Sequence, residues 1–168
     1  MPGWYDLAAA NASVHEVQHL SFLFTSGLFW WNVIDPAPLH ARLALATNGW
    51  ISPALGGRPG IILETTGRTS GLPRRVVLTY LADGPRIVLV ASNYGRAGNP
   101  AWFENLVAEP RVGVIRRGGR ERFLARVASG AERSELLRRT DNVTFGVYAA
   151  YSRRTTREIP VVVLEPER

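Results

Sequence analysis

The chain contains no cysteine, which excludes disulfides and thiolate metal centres and fits a reducing compartment. It contains no lysine either: all 20 of its basic residues are arginine. Long apolar runs are missing as well. The most apolar stretch, Leu20 to Ile34, is interrupted by Thr25, Ser26 and Gly27 and is too short to span a bilayer. The first residues lack both the positive stretch and the small-residue cleavage site of a signal peptide. The expectation is a cytoplasmic protein without a stable membrane span. Phe29, Trp30 and Trp31 leave a peripheral membrane contact open, although no arginine lies near them to draw in anionic lipid.

What is present describes a globular chain. Hydrophobic residues make up 46% and charged residues 20% of 168 positions, enough to build and cover a core. The net charge is +6, and its distribution is uneven. Every arginine lies beyond His40, whereas Asp6, Glu16 and Asp35 lie before it. A basic body of this kind suits either nucleic acid or a small polyanion. The arginines are scattered through strands and loops rather than gathered in a stripe, which favours the small anion over nucleic acid.

Periodicity divides the chain into an amino-terminal helical segment, residues 1–58, and a strand-rich body, residues 59–168, expected to form one structural unit. Asn11 to Asn32 reads as a helix ended by Pro36 and Pro38, and Leu39 to Ala46 as a second, shorter one. Strand signals follow at Gly60 to Thr66, Arg74 to Leu81 and Arg86 to Ala91, the last two joined by Asp83-Gly84-Pro85. Pro100 to Ala108 reads as a helix with Asn99 as its cap and Pro100 at its first position. Arg111 to Arg116 and Arg120 to Val127 form a hairpin around Gly118-Gly119. Ala131 to Arg153 reads as mostly helical, and Glu158 to Leu164 as a closing strand. The pattern predicts a mainly β (α+β) fold, a six-stranded antiparallel split β-barrel with amino-terminal helices and a helix before the last strand.

Three constellations carry chemistry. The loop Gly67-Arg68-Thr69-Ser70-Gly71 follows a strand and can turn backbone N–H groups and a guanidinium toward one anion, with Arg74 and Arg75 just beyond it. It is neither a Walker loop, having no lysine, nor a dinucleotide fingerprint. Tyr148 and Tyr151, with Phe145 three residues earlier, form a helical aromatic stripe that serves equally as core or as a cavity wall. His15-Glu16-Val17-Gln18-His19 matches the zinc-protease pattern but lacks the extended motif and a clear third ligand, so no metal site is expected.

The order and spacing of Thr65 to Gly71, Ala91-Ser92-Asn93, Asn99 to Leu106 and Arg154 to Pro160 resemble the deazaflavin (F420)-dependent nitroreductase family. The likeness runs from about Leu39 to Pro166. It implies an FMN-binding-like split barrel and coenzyme F420 as cofactor, in preference to FMN. The implied activity is hydride transfer from deazaflavin C5 to a small hydrophobic acceptor such as a quinone, activated alkene or nitroaromatic compound. On this resemblance Arg68, Thr69, Ser70, Gly71 and Arg74 bind the phosphate-bearing tail. Ser92, Asn93 and Trp102 sit at the cofactor, and Tyr148 and Tyr151 act on the acceptor side. Thr69 and Asn93 stand where lysine is common in the family, and Thr79 and Phe145 where tyrosine occurs. A homodimer is left open. Two other readings remain: a non-redox binding protein for a flavin, haem or biosynthetic intermediate on the same barrel, and a zinc hydrolase built on His15 and His19.

Overall fold

A computed structural model describes residues 13, 15–17, 19–23, 39–50 and 60–167. The chain divides into two compact units, residues 1–42 and 43–168. In the first, the described residues between 13 and 23 are helical and exposed. The imidazoles of His15 and His19 face each other with their Nε2 atoms 3.1 Å apart. Among the described residues no three His, Asp or Glu side chains gather as metal ligands, and no helix is long and apolar enough to cross a membrane. Phe29, Trp30, Trp31, Pro36 and Pro38 lie outside the described residues.

Helix α1 (Leu39–Ala46) is followed by a seven-stranded sheet with three further helices. The strands are β1 (Gly60–Thr66), β2 (Pro73–Thr79), β3 (Leu81–Asp83), β4 (Arg86–Val90), β5 (Arg111–Arg116), β6 (Gly119–Val127) and β7 (Val161–Pro166). Their order is β2-β1-β5-β6-β7-β4-β3, with every pairing antiparallel. The six strands expected become seven because the run Arg74 to Leu81 divides at Tyr80. Its first part pairs with β1 and its last part with β4, at opposite edges of the sheet. A single residue therefore joins the two edges, and the sheet must curl to satisfy both.

Curling gives β4 and β7 two covered faces, which is why they read as unbroken apolar runs. Ile87, Leu89, Val162 and Leu164 point into the barrel with Ile61, Leu63, Val114 and Phe123. Val88, Val90, Val161 and Val163 pack instead with Leu136, Tyr148 and Ile159 on the other side. Strand β6 alternates in its second half, with Phe123 and Ala125 buried and Leu124 exposed.

Several boundaries differ from those expected. Helix α2 (Ala101–Ala108) starts after Pro100, which holds the cap position; Asn99 instead gives its side-chain oxygen to Arg157. The β5–β6 turn is Arg117-Gly118, both with positive φ (48° and 79°), one residue earlier than Gly118-Gly119, since Arg116 pairs with Gly119. The closing strand begins at Val161 rather than Glu158. The long helix expected over Ala131 to Arg153 is two helices, α3 (Gly130–Val143) and α4 (Val147–Ser152). Phe145 and Gly146 have φ of 57° and 77° and break it. Asp141 caps α4, its Oδ1 accepting from Tyr148 N at 2.8 Å and Ala149 N at 3.1 Å. This break removes Phe145 from the tyrosine stripe and leaves it 87% exposed.

On the outer face, Glu64 of β1 accepts from Arg75 of β2 at 2.9 Å and from Arg120 of β6 at 2.6 Å. Arg120 reaches across β5 because Gly113 has no side chain; a Cβ there would stand 3.0 Å from its Nε. Burial raises the Glu64 pKa, but the hydrogen bonds from the two guanidiniums outweigh it and hold the carboxyl below its ordinary value. A lowered folded-state pKa contributes stability above the unfolded value, and that contribution is lost as pH falls through the folded one. Glu64→Gln is expected to cost about 1 kcal/mol at neutral pH, discounted for the exposed arginines. Melting curves on either side of the ordinary glutamate value of 4.5 test this: the wild type should lose more stability on acidification than the variant.

Candidate functional site

Two adjoining cavities open beside α2, and both are lined by Val76 and Trp102. The first, about 610 Å³, is walled by the β1–β2 loop and the start of α2. The second, about 390 Å³, lies between β2, the segment after β4 and helix α4.

The first cavity is built from the loop after β1. Gly67 N donates to Leu72 O at 2.9 Å and Gly71 N to Gly67 O at 2.7 Å, closing a tight turn. Gly71 has φ 66°, which a side chain would strain, and a Cβ on Gly67 would stand 2.7 Å from Ser70 Oγ. Asn105 of α2 is buried and fastens the loop from behind. Its Oδ1 accepts from Arg68 N at 3.1 Å, and its Nδ2 donates to Thr65 Oγ1 at 3.2 Å.

Arg68, Thr69, Ser70, Arg74 and Arg75 line the cavity with Trp102; Gly71 shapes the turn and is not among the lining residues. Arg74 Nη2 donates to Ser70 Oγ at 3.4 Å. Among the described residues no carboxylate lines this cavity. Arg75 is paired with Glu64, while Arg68 and Arg74 make no ion pair among the described residues. The cavity thus presents two cationic side chains that no described carboxylate neutralises, an arrangement that suits a polyanion.

The second cavity collects Ser92 and Asn93 with Tyr148 and Tyr151, residues 55 or more positions apart in the chain, and adds Thr79 and Tyr94. Tyr148 is buried except for its edge, and its hydroxyl lies 3.3 Å from Thr79 Oγ1. The Tyr148 and Tyr151 rings meet edge to face with centroids 6.3 Å apart, and Tyr94 continues the series 6.0 Å from Tyr151. Asn93, Tyr94 and Gly95 all have positive φ, a conformation that external contacts must hold. Asn93 Nδ2 donates to Gly98 O, and Gly95 lies so close to α4 that a Cβ would stand 2.7 Å from Tyr151 O.

Arg157 is the residue that sequence reasoning missed. Its guanidinium donates to Ala91 O, Ser92 O, Arg96 O and Asn99 Oδ1 at 2.7–3.0 Å. One side chain thereby spans the whole segment from β4 to α2. Burial lowers its pKa, and no carboxylate offsets that burial. The signal available was its place in the Arg154 to Pro160 stretch that carries the family likeness, which says nothing of its partners. Tyr94 was also missed as a cavity wall, since it reads as part of a polar loop; Thr79, noted in the sequence as a position where tyrosine occurs in the family, lines the cavity too.

Residues 39–166 match the family model described as F420H(2)-dependent quinone reductase. The chain belongs to this family. An F420H(2)-dependent quinone reductase of Mycobacterium tuberculosis strain H37Rv is 34% identical over 131 residues, covering 75% of this chain and 87% of the relative. A solved F420-H2 dependent reductase, FDR-A, is 32% identical with a TM-score of 0.58, covering 64% of this chain and 95% of that one. Another solved structure, described as a domain-swapped dimer, is also 32% identical, with a TM-score of 0.59 and coverages of 64% and 81%. The curled seven-stranded sheet is therefore the split barrel of this quinone reductase family. A second model, of the cytochrome c oxidase caa3 assembly factor, matches residues 1–54.

Arg157→Met removes donors from four acceptors in the segment after β4 at once. The expected cost is about 2–3 kcal/mol, from carbonyls left unpaired at a partly buried site. Hydrogen exchange should quicken selectively at residues 92–98. Unchanged exchange there would show that the segment holds its shape without the guanidinium.

Proposed function

We propose that this chain reduces a hydrophobic, quinone-type acceptor with F420H2. One observation carries the reading: an arginine-lined cavity without a carboxylate adjoins an aromatic-walled cavity at Trp102 and Val76. The residues present fit the cofactor. Arg68 and Arg74, with Thr69 and Ser70, would hold its anionic tail, and the turn at Gly67 and Gly71 brings their donors together. Ser92, Asn93 and Trp102 would border its ring. The bound deazaflavin supplies a hydride at C5, in keeping with the family's activity.

The protein's own contribution is placement and a proton. Tyr148 and Tyr151 wall the cavity in which the acceptor ring would lie. A quinone that gains a hydride needs one proton to become the quinol, and Tyr148 is positioned to give it, its phenol oriented by Thr79 and replenished from solvent. Tyr151, edge-on to Tyr148, would hold the acceptor ring flat. The lysines common in the family at positions 69 and 93 are replaced here by Thr69 and Asn93; Arg74 and Arg75 share the cavity of Thr69, while Asn93 lines the second one. The likeness to a domain-swapped dimer supports a homodimer for this chain as well.

Titration with oxidised F420 and with FMN, followed by fluorescence, tests the cofactor. F420 should bind in the micromolar range with little response to FMN. Arg68→Ala should weaken F420 at least tenfold, since a charge-assisted contact is worth about 1.5–3 kcal/mol. Unaltered affinity would remove the tail from this cavity. Tyr148→Phe should lower kcat about tenfold or more, leave F420 affinity intact and flatten the pH dependence of kcat. An unchanged kcat would take the proton from another source.

A further inference from the structure

Tyr94 and Tyr151, two walls of the aromatic cavity, each carry an arginine over the ring. The Arg96 guanidinium carbon lies 6.0 Å from the Tyr94 centroid, and that of Arg154 lies 5.6 Å from the Tyr151 centroid. The two rings themselves meet at 6.0 Å. Gly95 lets these four side chains gather. A Cβ on it would stand 2.9 Å from Arg154 Cβ, so the loop after β4 is pressed against the end of α4. Tyr94 holds its place at φ 57° and ψ 23°, a left-handed conformation that a bulky residue rarely adopts. Glycine would sit there without strain, so it is the ring and not the backbone that calls for tyrosine.

Both arginines are exposed, and among the described residues neither makes an ion pair. Glu158, the acid nearest to Arg154 in sequence, is taken by Arg133 at 2.7 Å. Arg157 adjoins the pair, its Nε donating to Arg96 O at 3.0 Å, and adds a third guanidinium that no carboxylate offsets. No described carboxylate lines the aromatic cavity either. A guanidinium lying over a ring keeps its N–H edge free for in-plane hydrogen bonds, the geometry that grips a carboxylate with two donors. Two such edges beside an aromatic cavity suit a flat ring that bears an acidic group.

We propose that Arg96 and Arg154 form a cationic rim that recognises an acidic substituent on the acceptor. The inference rests on the acceptor reading above and adds to it a substrate class: aromatic acceptors carrying a carboxylate or sulfonate, in preference to neutral ones. The ring lies against Tyr148 and Tyr151, with its acidic group toward Tyr94. Because both guanidiniums are exposed, each ion pair is modest, and the preference falls as ionic strength rises.

The experiment titrates 2-naphthoate and its neutral counterpart 2-naphthamide into the complex with oxidised F420, followed by calorimetry. The carboxylate should bind about five- to tenfold more tightly, and high salt should shrink that preference. In the double variant Arg96→Gln/Arg154→Gln the two ligands should bind alike. With F420H2, the double substitution should lower kcat/KM for 1,4-naphthoquinone-2-sulfonate about fivefold relative to that for 2-methyl-1,4-naphthoquinone. Equal wild-type affinity for naphthoate and naphthamide, or a preference that survives the double substitution, would overturn the rim. Weaker F420 binding by the double variant would overturn it too, by assigning these arginines to the cofactor. A preference for naphthoate without reduction of either quinone would support the rim and sink the reductase reading instead. If neither naphthalene binds, no aromatic ring enters this cavity, and the acceptor reading falls together with the rim.

Discussion

Both edges of the sheet come from one short stretch of chain. Strands β2 and β3 are separated by Tyr80 alone, yet they lie at opposite ends of a seven-stranded order. A flat sheet of that order would hold its edges many strand spacings apart, at about 4.8 Å per strand. One residue cannot cross such a distance, so curvature is imposed covalently. The inward faces of β1, β4, β5, β6 and β7 then share one core, and β4 and β7 acquire a second, helix-covered side. The two cavities of the candidate site lie along this stretch, with Val76 in the wall of both.

Arginine takes three kinds of position on this scaffold, distinguished by what each guanidinium faces. Arg75 and Arg120 converge on Glu64, Arg86 and Arg139 on Asp83, and Arg126 bridges Glu132 and Glu165. These are local neutralisations that tie strand to strand or helix to sheet. Arg157 is spent on carbonyl oxygens, and so acts as a multidentate brace rather than a counter-charge. Arg68 and Arg74 stand apart from both groups, beside an opening that no described carboxylate lines. Among the described residues, the guanidiniums without an acidic partner and those with one are thus kept in different places.

The sequence made the architecture legible wherever period and breakers coincided. The apolar runs at Gly60 to Thr66 and Arg86 to Ala91 announced buried strands, and the glycine loop announced its turn, because both signals are local. The division at Tyr80 was hidden, since nothing nearby distinguishes a strand that changes partners from one that continues. The break at Phe145 was hidden for a related reason: Asp141 ends one helix by capping the next, and aspartate within a helix has many other uses. The arginine loop and the tyrosine pair were singled out by residue type and family likeness, and the fold sets them in the walls of two adjoining cavities. Arg157 was not, because its role depends on four acceptors more than fifty residues away in the chain.

The register of the sheet also sets an order of assembly. Strands β1 and β2 pair across the six-residue loop that carries Arg68, with Arg74 and Arg75 at the start of β2, a contact made between near neighbours. Strand β4 must wait for β7, with Val90 meeting Val161, and loop-closure entropy makes such distant pairings the slow ones. During synthesis the ribosome therefore releases the β1–β2 hairpin, with Arg68, Arg74 and Arg75 already side by side, well before β7 emerges. The strand leading into the aromatic cavity gains its second partner only once β7 has docked. The two cavities are thus completed at different moments in the life of a nascent chain.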